Sequence, residues 1–198
     1  MTSAFRPFDP REDFKTTQHN LPHWKQPGAT YFVTFRLADS LPSEVLERFE
    51  EMRRLNDSDA FVWMERYLDA GSGDCPLRNS FHAAIVASGL RHFDGQRYTL
   101  GAFVVMPNHV HALVQPSGVN TLTTVLHSWK SHAAHELQRS AGIRGRVWQE
   151  ESFDRIVRNE SELRKFHDYI LANPVTAHLP ANTFIAGQGS ADWPELLP

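Results

Sequence analysis

Two histidines interrupt an apolar segment near the middle of this 198-residue chain, at positions 109 and 111 of FVVMPNHVHALVQP, residues 103 to 116. Successive side chains of a β-strand point to opposite faces. His109 and His111 therefore share one face, while their apolar neighbours share the other. Two adjacent imidazoles indicate either a metal site or the solvated face of an ordinary strand, and the pattern alone favours the ordinary strand.

The segments around this pattern predict an α+β fold. The sequence predicts strands at 31–37, 96–106, 109–115 and within 147–159, and helices at 43–55, within 79–93, at 120–137 and at 161–173, with a short helix possible in FVWMERYLDA. Strand, helix, strand, strand, helix, strand is the ferredoxin-like βαββαβ order, with an extra C-terminal helix. We expect a four-stranded antiparallel sheet in which the first and third strands are central neighbours. Helices would cover one face and leave the other, with the histidines, open.

The last predicted helix has a clear signal at each end. Asn159 followed three residues later by Glu162 is typical of an N-terminal cap. Pro174 disfavours helical geometry in the residue before it, which predicts that the helix ends there. Within the helix, Tyr169 and Asn173 are spaced i, i+4 and share a face with Lys165. Taken alone, Tyr169 would be a residue at the rim of the core and Asn173 a C-cap.

The chain divides into three parts. Residues 1–29 predict an extended arm without regular structure, residues 30–175 one domain with an acidic insertion near 56–95, and residues 176–198 a tail. The N-terminal segment MTSAFRPFDPRED has no apolar signal-peptide core, and no segment is long enough to span a membrane. Cys75 is the only cysteine, so a disulfide or a thiolate-rich zinc site is excluded. We expect a cytoplasmic protein.

The charge is unevenly distributed. Residues 39 to 74 hold ten acidic and four basic side chains, a balance of −6, and since the whole chain carries −3, the remainder carries +3. A net negative charge argues mildly against a nucleic-acid partner. The acidic side chains are concentrated in one segment, which weakens that argument. A solvated acidic face is the simplest explanation of this segment.

Three ordered segments resemble a known family. VVMPNHVHALV, VWQEESFDRIVRN and YILANPV are similar to segments of the single-tyrosine HUH transposases, named for two histidines around one hydrophobic residue. The opening LPHWKQPGATYFVTFRL resembles the REP-associated tyrosine transposase branch, whose members act on repetitive extragenic palindromes in bacterial genomes. The resemblance makes residues 30–175 a transposase-like catalytic domain.

The resemblance also implies roles for individual residues. His109 and His111 would bind a divalent metal, with Asn173 as a further and weaker ligand, and Tyr169 would be the nucleophile that forms a 5′-phosphotyrosine. Imidazole and oxygen ligands suit Mn²⁺ or Mg²⁺, although imidazole would also suit Zn²⁺. A metal would polarise the phosphodiester, because a phenol with a pKa of about 10 is a weak nucleophile.

The expected partner is single-stranded or hairpin DNA from palindromic repeats, bound by a monomer or a homodimer. Aromatic side chains would stack on unpaired bases while cations follow the backbone. The family often places a basic residue on the helix that here carries Lys130. The DNA-binding candidates are Lys130, Trp24, Lys25, Arg155, Arg158 and Lys165, with Trp148 and the more core-like Trp129 as further aromatic residues.

Two other functions stay open at the level of sequence. The first is a protein that binds hairpin DNA without cleaving it. The second is a small metal-dependent hydrolase that uses His109 and His111 on another substrate. The hydrolase would tolerate Tyr169→Phe, whereas a strand transferase would not.

Overall fold

The protein is described here from a computed structural model that covers residues 5–18, 22–55 and 59–193. In chain order the elements are β1 (Lys15–Gln18), β2 (Pro22–Lys25), β3 (Tyr31–Arg36), α1 (Ser43–Arg54), α2 (Ala60–Asp69), a 3₁₀ turn (Pro76–Arg78), α3 (Ser80–Arg91), β4 (Tyr98–Val105), β5 (His109–Pro116), α4 (Leu122–Ala141), β6 (Phe153–Ile156), α5 (Glu160–Thr176) and β7 (Ile185–Gln188). In these ranges no helix is both long and apolar enough to cross a bilayer.

The main sheet is antiparallel and has the order β6-β3-β5-β4-β7. Strands β3 and β5 pair at its centre, from Tyr31 opposite Val114 to Arg36 opposite His109, which confirms the predicted central pair. The prediction of four strands was wrong, because β7 adds a fifth strand beside β4. Its sequence, IAGQ, is half-exposed and has only one β-branched residue, Ile185, beside a glycine, so the pattern that identifies a strand is weak.

The N-terminal arm also differs from the prediction of no regular structure. Strands β1 and β2 form an antiparallel pair in the register Lys15 with Lys25 through Gln18 with Pro22. The backbone pairing identifies these two strands, whereas KTTQ and PHWK lack an alternating apolar pattern. Hydrophobic periodicity therefore gave no signal for it.

Helices cover both faces of the main sheet. On one face Val33, Phe35 and Val110 pack in a core with residues of α3 and α4. On the other, Phe32 and Leu113 belong to a core that includes α5 and Trp193. The expectation that this second face is open was therefore wrong, and β5 is buried along its whole length.

Helices α1 and α2 form a small core of their own, which we call the α1–α2 cover. Its buried residues are Leu41, Phe49, Met52, Ala60, Met64 and Leu68. Phe61 of α2 is the link between this cluster and the α5 face of the sheet, since it also packs against that second core. The cover is thus a separate layer attached to the side of the sheet that carries the histidines.

Helix α5 begins as predicted and ends later than predicted. The Asn159 side chain accepts a hydrogen bond from the Glu162 backbone at 2.8 Å, and the Glu162 carboxylate accepts one from the Arg158 backbone at 2.8 Å. The helix then passes through Pro174 and ends at Thr176. Burial of Asn173 and Pro174 holds the last turn in place, although proline removes one helical hydrogen bond.

Candidate active site

His109 and His111 lie side by side on β5 and are completely buried. Their Nε2 atoms are 3.0 Å apart. Each is directly opposite a residue of β3, His109 opposite Arg36 and His111 opposite Thr34. The strand alternation that places both imidazoles on one face is therefore present, but the face is covered rather than solvated.

Each ring is fixed through its other nitrogen. His109 Nδ1 is 2.8 Å from Asn108 Oδ1, and the Asn108 amide nitrogen donates to the Ser72 carbonyl at 3.0 Å, which identifies Oδ1 as the acceptor. His109 Nδ1 therefore carries the proton, and the lone pair on its Nε2 faces His111 Nε2. His111 Nδ1 is 2.8 Å from the Thr34 hydroxyl, which can donate or accept. This second contact allows His111 to change its tautomer when a ligand binds.

Glu65 of α2 and Tyr169 of α5 complete the cluster. Glu65 Oε2 lies 3.1 Å from His111 Nε2 and accepts a hydrogen bond from the Tyr169 hydroxyl. The Tyr169 ring packs edge-on against the His111 ring, with 5.4 Å between centroids. The structure thus brings His109, His111 and Tyr169 together, and it adds a carboxylate that sequence reasoning missed.

Glu65 left one signal in the sequence. It lies on the buried face of α2, between Met64 and Leu68, where a charged residue is rarely found without a partner. We expected a solvated acidic face in this segment, and that is wrong for Glu65, which is 5% exposed. Helix α2 is short, and the residues that contact Glu65 come from distant segments of the chain. The helical pattern alone could therefore not identify those residues.

Burial and charge shift the pKa values within the cluster in different directions. Burial raises the pKa of Tyr169 far above its ordinary value, and the charge and hydrogen bond of Glu65 add to the rise. Burial also opposes the ionisation of Glu65, but His111, His109 and Tyr169 outweigh it and lower the pKa of this carboxyl group. Burial lowers the pKa of His109 to about 3, with His111 adding to the effect and Glu65 opposing it. The cluster therefore combines a protonated phenol, a carboxylate and a neutral His109.

This set of donors fits a divalent cation. One ligand atom from each of Glu65, His109 and His111 lies within 4.8 Å of the others. Among the described residues, the buried Glu65 Oε1 has no hydrogen-bond partner. A buried carboxylate oxygen without a partner is unfavourable unless a proton or a cation binds to it. Two imidazoles and a carboxylate are ligands that Mn²⁺, Mg²⁺ and Zn²⁺ all accept.

Asn173 lies one helical turn after Tyr169 and is also buried. Its Oδ1 atom has no hydrogen-bond partner among the described residues. The Asn173 side chain hydrogen-bonds the Tyr169 phenol and partly offsets the rise in its pKa. An unpaired amide oxygen at this position is compatible with the predicted role as a further ligand.

The predicted DNA-binding residues are distributed around the sheet. Lys130 Nζ donates to the carbonyls of Gln149 and Glu150, at 2.6 and 2.8 Å, so it supports the loop before β6. Burial lowers the pKa of Lys130 to about 8. Lys25 donates to the Thr123 hydroxyl at 3.1 Å and lines the same cavity as Lys130, with a volume of about 350 Å³.

The other candidates have mixed surroundings. Arg155 forms an ion pair with Glu162 at 2.7 Å, whereas Arg158 and Lys165 are exposed. Trp129 is a core residue that donates to the Tyr98 hydroxyl at 2.8 Å, and Trp148 is also buried, so neither is placed to stack on DNA. The side chain of Trp24 lies outside the described part of the structure.

A second cavity of about 390 Å³ is lined by Thr34 and Arg36, the residues of β3 that lie opposite His111 and His109. It lies between the α1–α2 cover and the sheet, and Thr34, the hydrogen-bond partner of His111, forms part of its wall. Arg36, Phe49 and Met64 also line it, together with Phe153. Two arginines and three glutamates line this space together with aromatic rings, so its walls carry both signs of charge.

Comparison with known proteins finds matches among solved structures alone. No family model matches the sequence, and no curated protein matches it. The chain is similar to a REP-associated tyrosine transposase bound to a REP hairpin, at 16% identity and a TM-score of 0.46, over 80% of this chain and 74% of that one. It is also similar to a protein of Deinococcus radiodurans R1 assigned to the transposases, at 14% identity and a TM-score of 0.35, over 80% of this chain and 98% of that one. Both structural neighbours are transposases by description.

Proposed function

We propose that this protein is a metal-dependent DNA strand transferase that uses Tyr169 as its nucleophile on single-stranded or hairpin DNA. The observation that carries the proposal is the Glu65 oxygen that contacts both the Tyr169 hydroxyl and His111 Nε2. A phenol and a pair of metal-binding imidazoles therefore meet at one point, although they come from α5 and β5. We also propose that β3 to β6, with the helices between them, form a ferredoxin-like βαββαβ unit.

His109 and His111 would hold the metal through Nε2 with an oxygen ligand from Asn173, and Glu65 would complete the site in the DNA-free protein. The bound ion would supply electrophilic stabilisation of the negative charge that develops on the phosphodiester. Asn108 and Thr34 would orient the two rings through their Nδ1 atoms. Mn²⁺ or Mg²⁺ is the proposed ion, and the bound DNA would come from palindromic repeat elements.

The proposed reaction exchanges one phosphodiester for another. The Tyr169 oxygen forms a bond to phosphorus, the bond from phosphorus to the 3′ oxygen breaks, and the 5′ phosphate remains on the enzyme. The phenol loses its proton, and the departing 3′ oxygen gains one. Because the free energy of a phosphodiester is retained, the 3′ hydroxyl can attack the phosphotyrosine and rejoin the strands without ATP.

Substitution of the proposed nucleophile tests this function. Wild-type protein and Tyr169→Phe would be incubated with a panel of single-stranded palindromic DNAs and Mn²⁺ or Mg²⁺, and covalent adducts would be detected on denaturing gels. We expect an adduct with the wild type, loss of that adduct with chelator, and none with Tyr169→Phe, since the substitution removes only the attacking oxygen. Tyr67→Phe, which changes a tyrosine outside the cluster, is the matched control and should keep the adduct.

Mass spectrometry of the trapped adduct identifies the attachment site. A nucleotide on any residue other than Tyr169, or full cleavage by Tyr169→Phe, would contradict the proposal and favour a metal-dependent hydrolase. Hairpin binding by the wild type without any adduct would instead favour a DNA-binding protein that does not cleave.

A further inference from the structure

One oxygen atom connects the proposed nucleophile to the proposed metal ligands. Glu65 Oε2 accepts the hydrogen bond of Tyr169 and lies 3.1 Å from His111 Nε2. Glu65 reaches this position from α2, whereas the other members of the cluster belong to β5 and α5. An anionic oxygen on one helix therefore fills the gap between groups on two other elements.

A phosphodiester would need the same position in the reaction proposed above. Its phosphorus must come within about 3 to 3.5 Å of the Tyr169 oxygen, which is the approach distance for nucleophilic attack. Its non-bridging oxygen must at the same time face the ion held by His109 and His111. A carboxylate and a phosphate are both anions with equivalent terminal oxygens, and they cannot occupy one position together.

We propose that the Glu65 carboxylate occupies the binding site of the scissile phosphodiester, and that DNA displaces α2 from this site. This inference rests on the proposed function and names the position at which its substrate binds. Glu65 then acts as an internal substitute for the phosphate in the DNA-free protein, rather than as a ligand retained during the reaction.

Burial supports this assignment. His109 and His111 are fully buried and Glu65 is 5% exposed. No DNA backbone can contact the imidazoles while the surrounding elements keep these positions. Helix α2 supplies the one acidic side chain in the cluster, so its departure would remove both the steric and the electrostatic obstacle to a phosphate.

The attachment of the cover shows how α2 can leave. Most buried apolar residues of α2 pack with α1 in the separate core of the cover, not in the two cores of the sheet. Phe61 is the main apolar link to the sheet face, where its ring stacks on Phe153 at 4.3 Å between centroids and lies edge-on to Phe32 at 5.8 Å. The cover can therefore separate as a unit once Phe61 and Glu65 release their contacts.

The negative charge of the α1–α2 cover also favours replacement of Glu65 by a DNA phosphate. The segment from residue 39 to residue 74 carries a balance of −6, and both helices of the cover lie within it. Glu50 of α1 lines the cavity of about 390 Å³ between the cover and the sheet, so DNA that enters this cavity meets a carboxylate of the cover. Repulsion between the phosphates and the cover would promote its displacement.

Two substitutions on α2 test the inference from different directions. Glu65→Ala removes the competing carboxylate, and Phe61→Ala loosens the cover without changing Glu65. Glu47→Gln, which removes one exposed charge from α1, is the matched control for charge alone. Binding of a fluorescein-labelled single-stranded hairpin oligonucleotide would be measured by anisotropy in Mn²⁺ and again in EDTA. Amide hydrogen exchange of Ala60–Asp69 would be followed with and without the same oligonucleotide.

We expect Glu65→Ala and Phe61→Ala to bind the hairpin about tenfold more tightly than the wild type, because the competing closed arrangement is removed or weakened. Glu47→Gln should differ from the wild type by less than about twofold. The oligonucleotide should accelerate exchange in Ala60–Asp69 of the wild-type protein. If Phe61→Ala binds more tightly while Glu65→Ala is unfolded, the cover is still shown to compete with DNA.

Unchanged or weaker binding by both variants, with no change in exchange over α2, would overturn the inference. Loss of the covalent adduct in Glu65→Ala without any gain in binding would show that Glu65 is a retained ligand or base instead. The failure of the proposed function is distinguishable, since it would appear as no adduct in any protein while the binding gains persist.

Discussion

His109 shows how the fold sets the chemistry of one residue. Its ring is fully buried, its Nδ1 proton is committed to Asn108, and its pKa is lowered to about 3, first by burial and then by His111. A neutral imidazole is the form that binds a metal. The surroundings of His109 therefore keep Nε2 available for a ligand even in mildly acidic solution.

This pKa predicts the pH dependence of stability. Between about pH 6.5 and pH 3 the unfolded chain binds a proton at His109 that the folded chain does not, so the free energy of unfolding falls as the pH falls. The slope approaches about 1.4 kcal/mol per pH unit for one proton. Asp69, with a pKa raised to about 6 mainly by burial, gives the opposite slope between that value and its ordinary value of 3.8.

A comparison with His109→Asn separates the two contributions, because Asp69 is present in both proteins. Urea unfolding at about pH 7 and about pH 5 should show that the wild type loses roughly 1 to 2 kcal/mol more than the variant over this interval. His127→Asn, at an exposed position, is the control and should behave as the wild type. Equal losses in all three proteins would contradict the buried neutral state of His109.

At the scale of single elements, the start of α5 determines how firmly the helix that carries Tyr169 is held. Asn159 Oδ1 accepts the backbone hydrogen bond of Glu162 at 2.8 Å. Asn159→Ala removes this cap and should lower the free energy of unfolding by about 1 kcal/mol. Ser161→Ala, at an exposed position in the same turn, should change it by less than about 0.5 kcal/mol. Thermal or urea unfolding measures both, and an equal effect would contradict the role of the cap.

The elements that the sequence predicts well are those with strong local patterns. Strands β3 and β5 have continuous apolar or alternating segments, and their central pairing is confirmed. Strand β7 and the β1–β2 pair are short and lack an alternating apolar pattern, so hydrophobic periodicity could not reveal them. The N-cap of α5 depends on residues three apart and is confirmed, whereas the effect of Pro174 was overridden by burial of the last turn.

The residues of the candidate site likewise divide into those that a local sequence pattern indicates and those that only tertiary packing brings together. His109 and His111 are neighbours on one strand face, and that local relation was visible in the sequence. Glu65 is 46 residues from His111 along the chain, and its place in the cluster follows from how α2 packs on the sheet. Covering of the histidine face is likewise a property of tertiary packing, which local patterns do not encode.

For the molecule as a whole, the connection of α5 limits which chain can supply the nucleophile. The helix follows β6 at one edge of the main sheet and precedes β7 at the opposite edge. Both ends of α5 are therefore connected to paired edge strands, and Tyr169 cannot enter the active site of another chain unless one of these strands unpairs.

A mixture of His109→Ala and Tyr169→Phe proteins should therefore form no covalent adduct with hairpin DNA. Recovery of the adduct on denaturing gels would show that α5 is exchanged between chains.

The attachment of α5 at both edges of the sheet also limits the number of DNA ends that one molecule can hold during a reaction. Tyr169 can form a covalent bond to one DNA end at a time. Under the proposed chemistry, the joining of two different ends then requires either two protein molecules that meet at the same DNA or one molecule that acts twice in succession.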